Sequence, residues 1–274
     1  MRDTDSADHP EAIGEAKAKA RSKEVNGYCA PLFLSHYYLA DGHSSCTISA
    51  TATFVRFRGQ CYAVTCGHVK AAASARPEWT AKLRAGPAFL NLSNWSSTGL
   101  TPTLREIGDG KQVDISLCAL PEHWLDFMAR DKPKKPIDLD HYREPRWDRM
   151  TYGLAIGFPD REKSDDGHHV RSPMVEVVAE FASAMGPDAL TFTMQSQLNE
   201  PTPYKLSGMS GGPIFALDDK GAPLPIGIIF EGYPSGLEND ASPGQQILNE
   251  RDVLIRGHLI CPEIFARWLQ DAGL

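Results

Sequence analysis

The chain has 274 residues, 42% of them hydrophobic, which is enough apolar material for one domain built in two halves or for two small domains. Its formal charge of −7, without a lysine- or arginine-rich block, argues against nucleic acid as a partner. Residues 1–25 are charged and alanine-rich, and no apolar run reaches about 18 residues. We therefore expect neither a secretory signal nor a membrane partner and predict a cytoplasmic protein.

The first half of the chain is predicted to be a polar leader followed by short strands. Residues 1–27 form the leader, with a helix expected over 10–25 because alanine and alternating charges cover most of its faces. From Tyr28 onward the segments are rich in β-branched and aromatic residues, as strands are. The predicted strands are 32–39, 47–57, 61–66, 88–92, 103–107 and 115–120, with a turn at 58–60, one helical turn over 70–76 and a helix within 121–130.

A charged, proline-bearing connection without periodicity, 131–149, separates this half from the next. Strands are then predicted over 153–157, 174–181, 190–196, 214–217, 225–231 and 252–257, before a C-terminal helix over 262–269 with one apolar face. Many short strands without regular alternation of strand and helix predict an all-β fold, either a barrel or a sandwich.

The composition favours a protein without cofactor or metal. Four of the six cysteines stand singly in apolar segments, Cys61 and Cys66 are expected on opposite faces of one strand, and no CxxC pair is present. We interpret all six as reduced core residues. The loop 160–169 carries two aspartates and two histidines at 165–169, but a solvated hairpin tip is favoured over a cation site because no fixed geometry is implied.

A serine among three glycines stands in the segment LSGMSGGPIF, residues 206–215. Gly208, Gly211 and Gly212 permit positive φ and close approach, so several backbone N–H groups can point to one place beside Ser210 Oγ, which suits an oxyanion. A tight hairpin turn without any catalytic role is the competing interpretation.

A serine hydroxyl needs a general base, and the base needs a group that fixes its tautomer. His68 follows the apolar run 61–66, and Asp114 stands at the head of the β-rich segment 115–120. The competing interpretations are a histidine at the edge of the core for His68 and a turn cap for Asp114.

Three motifs occur in this order: TCGH at 65–68, DISL at 114–117 and GMSGGP at 208–213. Together they resemble the signature of trypsin/chymotrypsin-like serine peptidases, and the likeness runs from about residue 28 to the end. It implies two antiparallel six-stranded β-barrels, one over 28–130 with His68 and Asp114 and one over 150–274 with Ser210 and the C-terminal helix. Because Met209 replaces the aspartate that receives a freed N-terminus in activated relatives, the chain looks more like the bacterial stand-alone type or viral-type members, which need no such cut.

The resemblance also implies roles. Ser210 is the nucleophile, His68 the general base and Asp114 its orienting acid, while the N–H groups of Gly208 and Ser210 form the oxyanion hole. Substrate is expected at two places: the strand residues Ile229, Phe230, Glu231 and Gly232, and the pocket residues Tyr204 and Lys205.

These roles predict a serine endopeptidase that acts on protein or peptide substrates. We expect it to be controlled by narrow specificity, by oligomerisation or by a regulatory protein partner. The alternatives are a catalytically silent homologue that binds peptides and a serine esterase.

Overall fold

The computed structural model describes residues 24–36, 48–75, 79–85, 88–91, 105–107, 113–121, 123–124, 134–165, 170–182, 191–197, 206–217, 222–234 and 252–274. The predicted leader and the predicted helix within 121–130 lie almost entirely outside these ranges. Within the described residues, no helix has the length and apolar character needed to cross a membrane.

The described part of the first half forms a sheet with one short helix. Its elements are β1 (Cys29–His36), β2 (Ile48–Phe57), β3 (Gln60–Thr65), α1 (Gly67–Ser74), β4 (Trp79–Ala85), β5 (Ala88–Asn91), β6 (Arg105–Ile107), β7 (Ile115–Leu120) and β8 (Ile137–Asp138). Seven of the strands are antiparallel neighbours in the order β5-β4-β1-β2-β3-β7-β6. The eighth, β8, pairs in parallel with β2.

This sheet differs from the predicted first barrel. Among the described residues it is an open sheet of eight strands, so closure into a six-stranded barrel stays a prediction. Strand β4 was not predicted. Nor was β8, which lies in the connection 131–149 and has only two residues, too few to carry a period.

The second half contains a closed antiparallel barrel of six strands, as predicted. Its elements are β9 (Tyr152–Gly157), the small hairpin β10 (Ser164–Asp165) and β11 (Val170–Arg171), β12 (Val175–Phe181), β13 (Thr191–Gln197), β14 (Pro213–Leu217), β15 (Pro223–Pro234), β16 (Asp252–Leu259) and the helix α2 (Pro262–Asp271). The barrel closes in the order β12-β13-β16-β15-β14-β9, with β9 returning to β12.

Helix α2 joins the two halves. It begins with Pro262, which suits the first helical position because its missing N–H would have no partner there. Its buried face carries Ile264, Phe265, Trp268 and Leu269. The Phe265 ring meets Phe57 of β2 and Tyr62 of β3 edge-on, at centroid distances of 5.6 and 5.5 Å. These contacts bury aromatic surface between the barrel's last element and the first sheet.

The cysteine predictions are partly confirmed. The described cysteines Cys29, Cys61, Cys66, Cys118 and Cys261 are all free thiols, whereas Cys46 lies outside the described residues. The expectation that Cys61 and Cys66 face opposite sides is wrong, since both belong to one apolar cluster. Strand β3 ends at Thr65, so the alternation of faces no longer applies at Cys66.

Candidate active site

The turn that carries Ser210 occupies residues 206–212 and leads directly into β14. Gly208 and Gly211 have φ of +95° and +88°, which side chains of L-residues rarely tolerate. A Cβ at Gly208 would lie 2.6 Å from the carbonyl oxygen of Phe158, and one at Gly211 would collide with the carbonyl oxygen of Thr51. Glycine is therefore required at both positions, as the sequence indicated, because the backbone has positive φ there and other backbone segments lie too close for a side chain.

Two buried threonines of β2 hold this turn. The Thr51 N–H donates to the Ser210 carbonyl oxygen at 2.9 Å, and Thr51 Oγ1 donates to the Gly208 carbonyl oxygen at 2.9 Å. Thr53 Oγ1 donates to the Gly211 carbonyl oxygen at 2.7 Å. Sequence reasoning missed both threonines, although their spacing on one face of an apolar strand was a usable signal.

His68 and Asp114 form a hydrogen-bonded pair at one end of the first sheet. His68 lies at the start of α1, directly after β3, and Asp114 precedes β7, the antiparallel neighbour of β3. The His68 N–H donates to Asp114 Oδ1 at 2.8 Å, and His68 Nδ1 lies 2.5 Å from Asp114 Oδ2. Each carboxylate oxygen thus has a partner on the same histidine.

The electrostatics of this pair favour a charged acid and an accessible base. Burial raises the pKa of Asp114, but the hydrogen bonds and charge of His68 oppose it, so the pKa of Asp114 is lowered overall. The side chain of His68 is 52% exposed and that of Asp114 only 27%. Because Nδ1 is taken by the carboxylate, Nε2 of a neutral His68 carries the lone pair that can accept a proton.

Cys66 connects this pair to the serine turn. Its sulfur and the ligand atoms of His68 and Asp114 all lie within 4.8 Å of one another. The Cys66 thiol donates to the Ile229 carbonyl oxygen at 3.1 Å, and the Gly211 N–H donates to the same oxygen at 2.8 Å. Burial raises the pKa of the Cys66 thiol well above its usual value, and the Asp114 charge raises it further, so the thiol remains a donor.

Cys66, His68 and Asp114 are also the residues that could hold a metal cation among those described. A cation bound by all three would have to part the His68 Nδ1 and Asp114 Oδ2 atoms, which lie at hydrogen-bonding distance. The arrangement therefore suits proton transfer better than metal binding.

The backbone N–H groups beside Ser210 differ in whether they donate a hydrogen bond within the protein. Within the described residues, the N–H groups of Gly208 and Ser210 donate no hydrogen bond, whereas the Met209 N–H donates to the Leu206 carbonyl oxygen at 3.0 Å. Ser210 Oγ likewise makes no hydrogen bond to a described residue, His68 included. The hydroxyl and two amides of the turn thus have no hydrogen-bond partner among the described residues.

The predicted substrate strand is the second half of β15. Pairing with β14 ends at Ile228, while pairing with β16 continues to Pro234 and skips Phe230, a β-bulge. On the edge toward β14, the Ile229 N–H donates to the Gly212 carbonyl oxygen at 2.7 Å and the Ile229 carbonyl oxygen accepts from the Gly211 N–H, so only beyond Ile229 do the described residues supply no partner to the edge of β15. Glu231 forms an ion pair with Arg256 at 3.0 Å, which balances its charge. Tyr204 and Lys205 lie outside the described residues.

A functional candidate that sequence reasoning missed is His258 of β16. It is only 4% exposed, and its Nε2 accepts a hydrogen bond from the Asp114 N–H at 3.2 Å. Burial lowers the pKa of His258 to about 4; Asp114 opposes this shift and Arg256 adds to it. A histidine in the largely apolar run 253–260, where Arg256 is the other polar residue, was the one sign of it in the sequence.

No family model matches the chain, and no curated protein matches its sequence. Among solved structures, the chain is similar to the thermostable serine protease AL20 from an extremophilic microorganism, with a TM-score of 0.49 and 11% identity over 92% of this chain and 99% of that one. It is also similar to the scabies mite inactivated protease paralogue S-I1, with a TM-score of 0.45 and 12% identity over 91% and 95%. Both TM-scores are below 0.5, so neither structure bears on what this chain does.

Proposed function

We propose that the protein is a serine endopeptidase of the trypsin/chymotrypsin type, with Ser210 as nucleophile, His68 as general base and Asp114 as orienting acid. The observation that carries the proposal is the double hydrogen bond between His68 and Asp114, at 2.8 and 2.5 Å. It leaves Nε2 as the proton acceptor of an exposed imidazole. We further propose that the first sheet closes into the other of the family's two barrels, the one predicted over 28–130, and that the protein acts in the cytoplasm.

The reaction follows from these positions. Ser210 Oγ attacks a peptide carbonyl carbon while its proton passes to His68 Nε2, and Asp114 stabilises the imidazolium that forms. The oxyanion accepts hydrogen bonds from the Gly208 and Ser210 N–H groups, each worth about 3 kcal/mol in the transition state. The C–N bond then breaks, His68 returns the proton to the leaving amine, and water hydrolyses the acyl-enzyme by the same route.

An extended peptide fits the backbone edge of β15 that has no partner strand among the described residues. Because the backbone groups of Ile229 are already bonded to Gly211 and Gly212, main-chain hydrogen bonds to residues 230–232 would supply affinity with little demand on substrate sequence. The Glu231–Arg256 ion pair removes one reason to expect a basic side chain beside the scissile bond. Tyr204 and Lys205 remain proposed pocket residues.

Labelling with a fluorophosphonate probe tests the proposal, because the probe forms an Oγ–P bond with an activated serine and releases fluoride. We expect the label on Ser210 and none in Ser210→Ala. Ser207→Ala is a matched control: Ser207 lies in the same turn, but its hydroxyl is bonded to Asp160 at 3.2 Å, so the label should persist. Cleavage-site profiling by mass spectrometry then distinguishes a peptidase from an esterase. An unlabelled wild-type chain would overturn the proposal.

A catalytically silent peptide-binding homologue is the second candidate. It is favoured by one observation: Ser210 Oγ does not hydrogen-bond to His68 in this structure. Catalytic hydrogen bonds are often loose without substrate, so the same observation also fits an enzyme that a substrate or a protein partner completes. A chain that binds peptide but is not labelled at any concentration of the fluorophosphonate probe would favour the silent homologue.

A further inference from the structure

We propose, building on the peptidase activity proposed above, that His258 is a positioning residue that holds Asp114 in place for the reaction. His258 belongs to β16 of the closed barrel, and Asp114 belongs to the loop before β7 of the first sheet. The Asp114 N–H donates to His258 Nε2 at 3.2 Å. A side chain of one half therefore fixes the backbone of the acid contributed by the other.

The position of Asp114 depends on this contact because its side chain is already hydrogen-bonded to His68. Both carboxylate oxygens are bonded to His68, which is itself half-exposed and sits at the first turn of α1. Residue 114 precedes β7 and so lacks a ladder partner of its own. The hydrogen bond to His258 therefore attaches the backbone of Asp114 to the closed barrel.

The His258 ring is itself held on two sides. It stacks on Phe230 with centroids 4.3 Å apart and an interplanar angle of 28°, and it meets Trp268 edge-on at 6.2 Å and 79°. Phe230 occupies the bulge of β15, and Trp268 belongs to the buried face of α2. Two fixed aromatic contacts restrict the ring, so the direction of Nε2 toward Asp114 is set by packing.

The contact requires a neutral ring, since Nε2 must accept. Burial favours that form at neutral pH, and the charged groups that act on the ring are Asp114, from the loop before β7, and Arg256, from β16. Arg256 is paired with Glu231 of β15. Trp268, the contact from α2, is uncharged.

His258→Phe tests the proposal because it keeps an aromatic ring between Phe230 and Trp268 and removes the acceptor. We expect kcat on a peptide substrate, and the rate of Ser210 labelling, to fall about tenfold while KM stays within about twofold. Tenfold is the kinetic equivalent of one net hydrogen bond of about 1.4 kcal/mol. The downfield proton resonance between His68 Nδ1 and Asp114 should weaken or broaden, a change that a purely structural role in distant packing would not produce.

A second pair of variants covers the case in which His258→Phe does not fold. His258→Gln and His258→Met have similar shape and both lose the aromatic ring, but only glutamine offers an acceptor near the Nε2 position. We expect His258→Gln to label Ser210 several-fold faster than His258→Met and to retain the downfield proton. Equal labelling rates and equal resonances in this pair would overturn the proposal.

Two failures can be told apart. If the wild-type chain labels at Ser210 and His258→Phe matches it in rate and in the proton resonance, the positioning role is wrong and the peptidase stands. If the wild-type chain does not label, the peptidase is wrong, and the resonance of the His68–Asp114 proton still reports whether His258 positions the acid.

Discussion

Thr51 donates its backbone N–H to the carbonyl oxygen of Ser210 at 2.9 Å, across a long stretch of sequence. The two residues belong to different halves of the chain, since Thr51 lies in β2 and Ser210 lies just before β14. Strand β2 is the neighbour of β3, whose end leads to His68. The candidate nucleophile is therefore attached to the sheet that carries its candidate base.

Thr51→Val keeps this backbone bond and the shape of the side chain but should weaken the hold of β2 on the serine turn, because it removes the hydrogen bonds of Oγ1. Thr51 Oγ1 donates to the Gly208 carbonyl oxygen and accepts from the Phe158 N–H at 3.0 Å, so valine leaves both partners unsatisfied in a buried site. We expect the free energy of unfolding to fall by about 2 to 4 kcal/mol, measured by urea denaturation, together with slower labelling of Ser210.

Thr53→Val is the matched control, because Thr53 Oγ1 makes a single hydrogen bond within the described part of the chain, to the Gly211 carbonyl oxygen at 2.7 Å. Thr53→Val should lower the free energy of unfolding by about half as much, on the order of 1 to 2 kcal/mol. A Thr51→Val chain as stable as the wild type would contradict the view that this threonine holds the serine turn.

Gly211→Ala should damage the turn more than a positive φ alone explains. An alanine at φ +88° carries conformational strain of about 1 to 2 kcal/mol, and its Cβ would also collide with the Thr51 carbonyl oxygen. Gly59 separates the two effects, since it has φ +75° but a Cβ added there would meet no described atom within 4 Å. We expect Gly59→Ala to lower the unfolding free energy by about 1 to 2 kcal/mol and Gly211→Ala by clearly more, with loss of Ser210 labelling. If the two variants lost the same unfolding free energy, the close approach of the Thr51 carbonyl oxygen to residue 211 would be contradicted.

The elements best predicted from the sequence are those with a strong local signal. Strand β7 begins and ends where its run of apolar residues does, and α2 begins at its proline. The glycines of the serine turn were predictable for the same reason, because the demand for positive φ is local. The closed barrel followed from the family resemblance of three short motifs.

What sequence reasoning missed depends on contacts between distant segments. Strand β8 exists because two residues reach the edge of β2, and His258 matters because its strand passes the loop of Asp114. Cys66 was interpreted only as a core thiol, whereas it donates to the Ile229 carbonyl oxygen beside the candidate site. None of these contacts leaves a periodic pattern in the chain, since each is set by the tertiary arrangement.

Asp114→Asn should abolish most of the proposed activity while leaving the fold intact. An amide has a single acceptor oxygen, so it cannot accept from both the backbone N–H and the Nδ1–H of His68, and it has no charge to stabilise an imidazolium. Loss of the acid in such triads lowers kcat about 10⁴-fold. Asp138 provides a matched pair, since its Oδ2 lies 3.0 Å from Nδ1 of His141 in an exposed position away from the candidate site. We expect Asp138→Asn to keep wild-type kcat and Ser210 labelling. Similar losses in both variants would mean that the His68–Asp114 pair has no special role.

The neutral state of His258 predicts a stability that falls in mild acid. Its pKa is lowered from 6.5 in the unfolded reference to about 4 in the folded chain, so below pH 6.5 the unfolded chain binds a proton that the folded chain resists. The contribution is fully present above pH 6.5 and is lost as the pH falls toward about 4. Between about pH 7 and pH 4.5 the loss amounts to about 2 kcal/mol.

Urea denaturation of the wild type and of His258→Gln at these two pH values measures this contribution. Glutamine does not titrate and keeps an acceptor for the Asp114 N–H, so the variant should lose about 2 kcal/mol less on acidification than the wild type does. Asp114 does not obscure the comparison, because its pKa is lowered below 3.8 and its own contribution is lost only in stronger acid. If both chains lose the same free energy, His258 is not held neutral, and the acceptor role of its Nε2 would have to be abandoned.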